Sequence, residues 1–236
     1  MRFMGFIPIF FDVTDRRCVV IGGGEVAKRK VEALLEAGAC VTLVSPGLSP
    51  PLQEAVARGL LTHIARDYAP GDIKGCVLVY AATDDPKLHR ELAAEARTLG
   101  IPINIADEPA LCSFIAPAVV KRGALQNAIS TGGASPAFAA RIRRELEDRF
   151  GAEYARTLDL MRAARRRLHA EEIAPAERMR QLTDLANSAL PDAIAAGDVA
   201  AVERILAVHL GEGVGLAQLG IDPAHFALAP VTEVSH

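Results

Sequence analysis

The sequence predicts an α/β fold, with a Rossmann-type parallel sheet followed by a small β-hairpin unit and a helical C-terminal region. Three observations support this prediction. Short apolar runs alternate with helical patterns over residues 18–106, as expected for parallel strands that helices cover on both faces. Three consecutive glycines, Gly22-Gly23-Gly24, lie between the first apolar run and the first helix. After residue 112 the alternation stops, and a hairpin pattern and then helical patterns follow.

Five strands and three helices are predicted in the first part. The strands are continuous apolar runs at Cys18–Ile21, Val41–Val44, Leu60–Ile64, Cys76–Ala82 and Ile101–Ala106. The helices have apolar residues at helical spacing and are predicted at Glu25–Ala37, Leu52–Arg58 and Pro86–Gly100. Gly38 is placed as a C-terminal cap, and Asp85 as an N-cap before a first-turn proline. The alternation implies right-handed crossovers and therefore a parallel sheet.

The second part begins with a predicted hairpin. Its strands, Ser113–Val120 and Leu125–Ser130, are joined by a short turn that contains glycine. Ser135 and Pro136 have the residue types of an N-cap and a first helical position. Four helices follow, at Pro136–Phe150, Glu153–Leu168, Ala176–Leu190 and Val199–Leu210. We therefore expect three domains, residues 1–112, 113–150 and 151–236, the last ending in a tail with little pattern.

The composition is that of an ordinary globular protein. Half of the 236 residues are hydrophobic, which is enough to bury a sizeable core, and the net charge of -3 gives no argument for binding nucleic acid or an anionic membrane. The apolar residues 1–11 are too few, and too soon followed by charges, for a signal peptide. No run approaches the roughly 20 apolar residues of a membrane span. We expect a cytoplasmic protein.

Neither the cysteines nor the histidines have the spacing of a metal site. The four cysteines form no C-x-x-C motif, and Cys18, Cys40 and Cys76 lie in apolar runs that predict buried thiols. The six histidines lack H-x-x-x-H spacing. No metal ligands are predicted.

The glycines fit a dinucleotide-binding pattern. Gly22-x-Gly24-x-x-Ala27 matches G-x-G-x-x-G/A and lies between a strand and a helix, as that motif requires. The first glycine allows a tight turn, the second lets a pyrophosphate approach the backbone, and the small third residue lets helix and strand pack. The helix N-terminus supplies amide donors and a partial positive charge. The alternative is that the glycines only form a tight turn.

The residues after the second strand depart from that pattern. An acidic residue is expected there to hold the ribose hydroxyls, but the sequence is Val44-Ser45-Pro46-Gly47. An arginine for a 2′-phosphate is missing as well. Ribose contacts are therefore expected from the backbone or from Ser45, and the choice between NAD and NADP stays open.

Asp107 is the first candidate for chemistry, because it follows the fifth strand at the edge where ligands of parallel sheets bind. A carboxylate beside a nicotinamide could accept a proton or orient a cationic substrate. The alternative is a turn cap before Pro109. Asp84 and Asp85 are weaker candidates, and Asp85 is better explained as a helix cap.

A second glycine turn, Ser130 to Ser135, offers hydroxyls and amides before another helix N-terminus, which is an anion-binding arrangement. Many arginines follow on the helices, but acidic residues are interleaved with them, so a solvated face is the default interpretation. They contribute to binding only if the substrate is polyanionic.

Four ordered motifs resemble a known family. They are "PIFFDVTDRRCVVIGGGEVAKRKVEALLEAGACVTLVSP", "VYAATDDP", "NIADEPALCSFIAPAVV" and "ISTGGASPAFAARIRRELE". Together they look like the precorrin-2 dehydrogenase family, the dehydrogenase and ferrochelatase portion of sirohaem synthases, from about Ile7 to Leu168. The resemblance implies oxidation of precorrin-2 by NAD to sirohydrochlorin. In many members the same site also inserts Fe²⁺, and members are homodimers that associate through the hairpin and the following helices.

The resemblance also implies roles for individual residues. Asp107 becomes the catalytic candidate. The dinucleotide is expected on Gly22, Gly23, Gly24, Glu25, Val26, Ser45, Pro46, Gly47 and Thr83. The polycarboxylate substrate is expected on Ser113, Thr131, Gly132, Gly133 and Ser135. At the position of Thr131 some members have a serine that can be phosphorylated, so the resemblance does not imply such regulation here.

Two alternatives remain. Within the same fold, the protein either only dehydrogenates or has chelation as its main activity, and no residue decides between them. From a different class, a NAD-sensing regulatory module would bind the dinucleotide without catalysis and would need neither Asp107 nor the second glycine turn. Residues 176–236 have no functional assignment.

Overall fold

In the computed structural model, which describes residues 5–223, the five predicted strands form one parallel sheet in the order β3-β2-β1-β4-β5. The strands are β1 Arg17–Ile21, β2 Cys40–Val44, β3 Thr62–Ile64, β4 Leu78–Ala81 and β5 Ile103–Ile105. The helices between them are α1 Glu25–Glu36, α2 Pro50–Ala57 and α3 Pro86–Leu99. The chain divides into two compact units, Met1–Ala116 and Pro117–His236.

The sheet is covered on both faces, which explains why its strands are apolar throughout. Cys18 and Val20 of β1 pack toward the core formed with α1 and α2. Val19 and Ile21 pack on the other face, in the core that includes α3. Consecutive residues of a strand point to opposite faces, so a strand buried on both sides shows no polar alternation. The predicted fold class is confirmed in this unit.

Three strands are shorter than predicted. The apolar runs around β3, β4 and β5 extend into loops, so Leu60, Cys76 and Ile101 lie outside the strands. Residues 113–117, predicted as strand, also lie outside the hairpin, which begins at Ala118. A short apolar run cannot distinguish a buried loop from a strand by periodicity alone.

The connection from β3 to β4, residues 65–77, contains no helix and is held by polar contacts. Arg66 donates two hydrogen bonds to the Asp72 carboxylate, at 2.7 and 2.8 Å, and the Ala69 amide donates a third at 2.8 Å. Arg17 of β1 donates to the carbonyls of Asp72 and Lys74. The hydrogen bonds from Arg66, and then that from Ala69, hold the pKa of Asp72 below its usual range.

We expect Asp72→Asn to remove a pH-dependent contribution to stability. A carboxyl group whose pKa is lowered by folding stabilises the protein above its unfolded pKa of about 3.9, and this contribution is lost as the pH falls through the lowered folded value. Urea unfolding should therefore find Asp72→Asn less stable than wild type near neutral pH, and the difference should be smaller at a pH below the unfolded pKa of about 3.9. Asp67→Asn, a change at an exposed neighbour, is the control. An equal difference at both pH values would contradict this assignment.

The second unit starts with the predicted hairpin. Its strands, β6 Ala118–Arg122 and β7 Leu125–Ile129, are antiparallel. The helices that follow are α4 Pro136–Arg149, α5 Glu153–Ala170, α6 Pro175–Ala186, α7 Leu190–Ala195 and α8 Val199–Leu210. Leu160 and Leu168 of α5 and Leu206 of α8 are fully buried in the core of these helices. The hairpin and the helices thus belong to one unit, in which the expected helical region is confirmed.

Two details of the sequence interpretation are wrong. The predicted helix Ala176–Leu190 is two helices, because α6 ends at Ala186 and α7 starts at Leu190. Between them the Ser188 hydroxyl donates to the Leu185 carbonyl and accepts from the Leu190 amide, and Pro191 follows in the first turn of α7. Cys40 was predicted to be buried but is exposed, because it is the first residue of β2 and lies where that strand begins.

Candidate functional site

The carboxyl ends of four strands lie side by side at one edge of the parallel sheet. The strand registers pair Ile21 with Val44 and with Ala81, and Ala81 with Ile105. The loops that follow these residues therefore start next to one another. Ligands of open α/β sheets bind at this edge, where the strand order reverses. Here the reversal lies between β1 and β4.

The glycine turn after β1 is packed too closely for side chains at its first two positions. Gly22 has a φ of 111°, and a Cβ atom there would lie 2.2 Å from the Ala82 carbonyl oxygen. A Cβ atom at Gly23 would lie 1.9 Å from the Gly47 carbonyl oxygen. A Cβ atom at Gly24, in contrast, would have nothing within 4 Å. The open space is therefore confined to the third glycine, at the helix N-terminus.

Helix α1 begins at this open space without a side-chain cap. Gly24 is its N-cap and provides no side-chain acceptor for the first-turn amides, and Glu25 and Val26 are the first helical residues. The Glu25 carboxylate is exposed and lies 3.7 Å from the Lys28 ammonium group. Free amides and the helix dipole together bind anions. The open space at Gly24 and these uncapped amides fit a pyrophosphate group.

The loop after β2 packs against the glycine turn. The Ser49 amide donates to the Gly23 carbonyl at 2.8 Å. Ser45 is buried, and its hydroxyl donates to the Gly47 carbonyl at 2.7 Å. His63 on β3 donates from Nε2 to the Ser45 carbonyl at 2.9 Å. The Ser45 hydroxyl thus closes its own loop, which favours the backbone as the source of ribose contacts, while Pro46 and Gly47 are exposed.

The loop after β4 is held by a buried histidine. His89 on α3 is 4% exposed, and its Nε2 lies 2.9 Å from the Thr83 carbonyl oxygen and 3.1 Å from the Thr83 hydroxyl. A carbonyl oxygen only accepts, so Nε2 carries a proton. The Nδ1 atom is buried and has no hydrogen-bond partner among residues 5–223. His89 therefore holds Thr83 beside the glycine turn, where a Cβ atom added at Gly22 would lie 3.3 Å from Thr83 Cγ2.

We expect His89→Ala to weaken NAD binding about fivefold, the equivalent of one lost hydrogen bond of about 1 kcal/mol. Without the imidazole, Thr83 loses the contacts that hold it beside the glycine turn. Calorimetric titration with NAD, well below the unfolding temperature, measures the effect. His89→Gln, whose amide can donate to the same carbonyl, should recover most of the affinity. His169→Ala on the exposed face of α5 is the control. Unchanged affinity in His89→Ala would rule out this role.

Asp85 is confirmed as a helix cap. Its carboxylate accepts from the amides of Lys87, at 2.8 Å, and Leu88. These backbone hydrogen bonds, that from Leu88 most of all, hold the pKa of Asp85 below its usual range. The carboxylate is therefore committed to the start of α3.

Asp107 lies on a strained turn directly after β5. Its φ is 58°, in the left-handed region, where an L-residue other than Asn or Asp costs about 1–2 kcal/mol. The preceding amide, that of Ala106, donates to the Ala81 carbonyl at 2.9 Å, so the turn begins beside the end of β4. The Asp107 side chain is exposed. The alternative that Asp107 only caps this turn is compatible with the observed backbone. The exposed carboxylate at this edge of the sheet is also available to a ligand.

An aromatic pair and a lysine lie on the α1 face of the sheet near these loops. The rings of Tyr80 and Phe114 are 5.4 Å apart in an edge-to-face arrangement, and the Lys30 ammonium lies 5.0 Å from the centre of the Tyr80 ring. Burial lowers the pKa of Lys30 and raises that of Tyr80 to about 12. Phe114 thus anchors the segment that follows the Asp107 turn.

The predicted substrate residues fall in both units. In the first, the Ser113 hydroxyl accepts from the Ile103 amide at 2.8 Å, so this side chain completes the sheet edge. In the second, the Thr131 hydroxyl lies 3.2 Å from the Ser135 amide, and the Ser135 hydroxyl caps α4 by accepting from Phe138.

Between the Thr131 and Ser135 hydroxyls, Gly132 and Gly133 are exposed and have φ values of 60° and 83°. The turn before α4 is therefore closed by its own hydroxyls and presents its glycine backbone to solvent. This leaves the backbone as its available anion-binding element.

Two kinds of feature do not occur in the described part of the chain. Within residues 5–223, no group of three or more histidine, cysteine or acidic side chains is arranged to hold a metal ion. Within the same range, no helix is both long enough and apolar enough to span a membrane.

Sequence reasoning missed three residues that shape the site. His63 and His89 each bind a carbonyl in a loop at the carboxyl edge, and Cys112 contacts the Asp107 turn. Each histidine contacts a loop that follows a different strand or helix from its own, so no local sequence pattern indicates its role. For Cys112, the only available signal was its place five residues after Asp107.

Comparison with protein families and known structures agrees with this geometry. Residues 9–118 match the family described as putative NAD(P)-binding, and residues 122–149 match the family described as sirohaem biosynthesis protein central. The first match covers the glycine turn, Thr83 and Asp107. A nicotinamide dinucleotide is therefore the cofactor class of this unit.

Curated relatives and a solved structure extend the comparison. The chain is 45% identical over 153 residues to a siroheme synthase of Methylobacillus flagellatus, covering 65% of this chain and 33% of the relative. It is 40% identical over 212 residues to a siroheme synthase of Pseudomonas aeruginosa, covering 89% and 45%. SirC, a precorrin-2 dehydrogenase, superposes with a TM-score of 0.66 at 25% identity, covering 79% of this chain and 92% of SirC.

Two points follow from the lengths over which these sequences match. The chain spans less than half the length of the siroheme synthases that it matches. The 212-residue match is longer than the segment from Ile7 to Leu168 that carried the family resemblance, so the sequence similarity extends beyond that segment.

Proposed function

Because this chain belongs to the precorrin-2 dehydrogenase family, which includes the corresponding portion of sirohaem synthases, we propose that it oxidises precorrin-2 to sirohydrochlorin with NAD. The observation that carries the proposal is the position of Asp107. Its exposed carboxylate follows β5, two strand spacings or about 10 Å along the same sheet edge from the glycine turn after β1. This position supports a site in which the dinucleotide and a proton acceptor share one edge of the sheet.

The residues that hold the dinucleotide act through their backbone. The amides of Glu25 and Val26 and the space at Gly24 receive the pyrophosphate. Exposed Pro46 and Gly47 receive the ribose, and Thr83 the part that lies over β4. The loop after β2 contains neither a basic residue for a 2′-phosphate nor an acidic residue for the ribose hydroxyls, so the proposal of NAD rather than NADP rests on the family resemblance. When bound, the nicotinamide supplies a hydride acceptor.

Asp107 acts on the proton in this scheme. Oxidation of precorrin-2 removes two hydrogens, one as a hydride and one as a proton. The Asp107 carboxylate accepts that proton at an Oδ atom and returns it to solvent, to which the side chain is exposed. The substrate is a polycarboxylate, and the exposed glycine backbone of the turn before α4 is proposed to contact its carboxylates.

The hairpin supports the proposal of a homodimer. β6 and β7 form a sheet of two strands within the described residues, which leaves the outer edge of each strand without a β partner there. Such edges pair readily with another chain. Light scattering after gel filtration tests the dimer.

The decisive experiment is anaerobic turnover of precorrin-2 by the purified chain with NAD. We expect NADH and sirohydrochlorin to form in equal amounts, and a lower Kd for NAD than for NADP. A chain that binds NAD but leaves precorrin-2 unchanged would instead support the regulatory module. Insertion of Fe²⁺ into sirohydrochlorin, measured without NAD, separates a dehydrogenase from a bifunctional enzyme.

A further inference from the structure

β5 is an edge strand, and its free edge is completed by side chains. The amides and carbonyls of Ile103 and Ile105 point away from β4, where a further strand would pair with them. The Ile103 amide donates to the Ser113 hydroxyl at 2.8 Å, and the Ser113 amide donates to the Ile103 carbonyl at 2.9 Å. The Ile105 amide donates to the Cys112 sulfur at 3.1 Å. Cys112 and Ser113 therefore take the place of a sixth strand.

The Cys112 thiol also contacts both sides of the Asp107 turn. Its Sγ lies 3.3 Å from the Ile105 carbonyl oxygen and 3.4 Å from the Glu108 carbonyl oxygen. These residues come two before and one after Asp107. A thiol has one proton, so it donates to one of the two carbonyls at a time while it accepts from the Ile105 amide. Asn104 Nδ2, at 3.6 Å, provides a weaker contact to the sulfur.

The Asp107 turn requires such support. Aspartate adopts left-handed backbone more readily than most residues but less readily than glycine, so contacts from the surrounding structure stabilise the Asp107 conformation. The backbone hydrogen bond across the turn, from the Glu108 amide to the Ile105 carbonyl, is long at 3.4 Å. The Cys112 thiol contacts the carbonyls of Ile105 and Glu108, the two residues that this long hydrogen bond joins. Phe114, packed on Tyr80, anchors the segment that carries the thiol.

We propose that Cys112 is a positioning residue that holds the Asp107 turn, and that it promotes turnover only through the placement of the Asp107 carboxylate. This inference rests on the proposed function. It goes beyond that function because it assigns a role to a side chain outside the proposed binding and catalytic residues. A misplacement of about 1 Å at a reacting group can lower a rate by up to about a hundredfold, so the expected effect is measurable.

The test compares variants of Cys112 in two backgrounds, wild type and Asp107→Ala. In the wild-type background, Cys112→Ala and Cys112→Val should lower kcat for precorrin-2 oxidation about tenfold, with the Kd for NAD unchanged. Cys112→Ser, whose hydroxyl can also donate and accept, should restore most of the rate. In the Asp107→Ala background, the same substitutions should change the residual rate less than about twofold, because coupled residues are not additive. Cys40→Ala, at an exposed thiol, is the matched control.

Each outcome is decisive. Wild-type kcat in Cys112→Val, or an equal loss of rate in both backgrounds, overturns the positioning role. Loss of NAD binding in Cys112→Ala would mean that this variant has lost its fold. In that case Cys112→Val decides the question, because valine fills the space of the thiol without a polar atom. If the wild-type chain itself does not oxidise precorrin-2, the proposed function fails. If wild type is active and Cys112→Val equals it, only the present inference fails.

Discussion

Replacing Asp107 by alanine is expected to lower kcat for precorrin-2 oxidation by about 10²–10⁴-fold, the usual contribution of a positioned general base. The affinity for NAD should stay within about twofold of wild type, because the glycine turn and the loops after β2 and β4 are held by contacts that do not include the Asp107 side chain. Steady-state formation of NADH measures the first quantity, and calorimetric titration measures the second.

The left-handed backbone at Asp107 means that the alanine variant changes two properties at once. Alanine tolerates a φ of 58° less well than aspartate, so Asp107→Ala changes the turn as well as the charge. Asp107→Asn separates the two effects, because asparagine accepts the left-handed region but carries no charge at neutral pH. We expect it to lose as much activity as alanine. Activity of Asp107→Asn close to that of wild type would show that the turn, and not the carboxylate, is required.

A matched control exists in the same unit. Asp15 is also exposed and also left-handed, with a φ of 56°, but it precedes β1 at the opposite edge of the sheet. Asp15→Ala and Asp15→Asn therefore reproduce the backbone and charge changes away from the proposed site. Their kcat should equal that of wild type.

The sheet could be predicted from the sequence because burial on both faces leaves a direct mark on composition. β1, for example, has four successive apolar residues from Cys18 to Ile21, and all four are buried. The cap of α3 was equally local, since Asp85 contacts amides two and three residues away. Features that depend on residues close together in the sequence can be predicted from it.

The contacts that orient the site could not be predicted, because they join elements that are distant in sequence or replace a regular ladder. His63 and Ser45 are 18 residues apart and meet only because β2 and β3 pair. Cys112 satisfies a strand amide with sulfur, a pairing for which hydrophobic periodicity has no signal. The break between α6 and α7 was different, because Ser188 and Pro191 are local signals that indicate it.

Gly24→Ala is expected to raise the Kd for NAD about a hundredfold, or about 2.8 kcal/mol, while the protein keeps its fold. The added methyl group meets no protein atom within 4 Å, and the φ of -90° at Gly24 is allowed for alanine. It lies instead in the space that the pyrophosphate needs to approach the first-turn amides of α1. Gly23→Ala should behave differently, because its methyl group would meet the Gly47 carbonyl at 1.9 Å and lower the unfolding temperature. Gly5→Ala, which also meets nothing within 4 Å, is the control. Thermal unfolding and NAD titration of the three variants measure both quantities, and wild-type affinity in Gly24→Ala would show that the dinucleotide does not bind at this helix N-terminus.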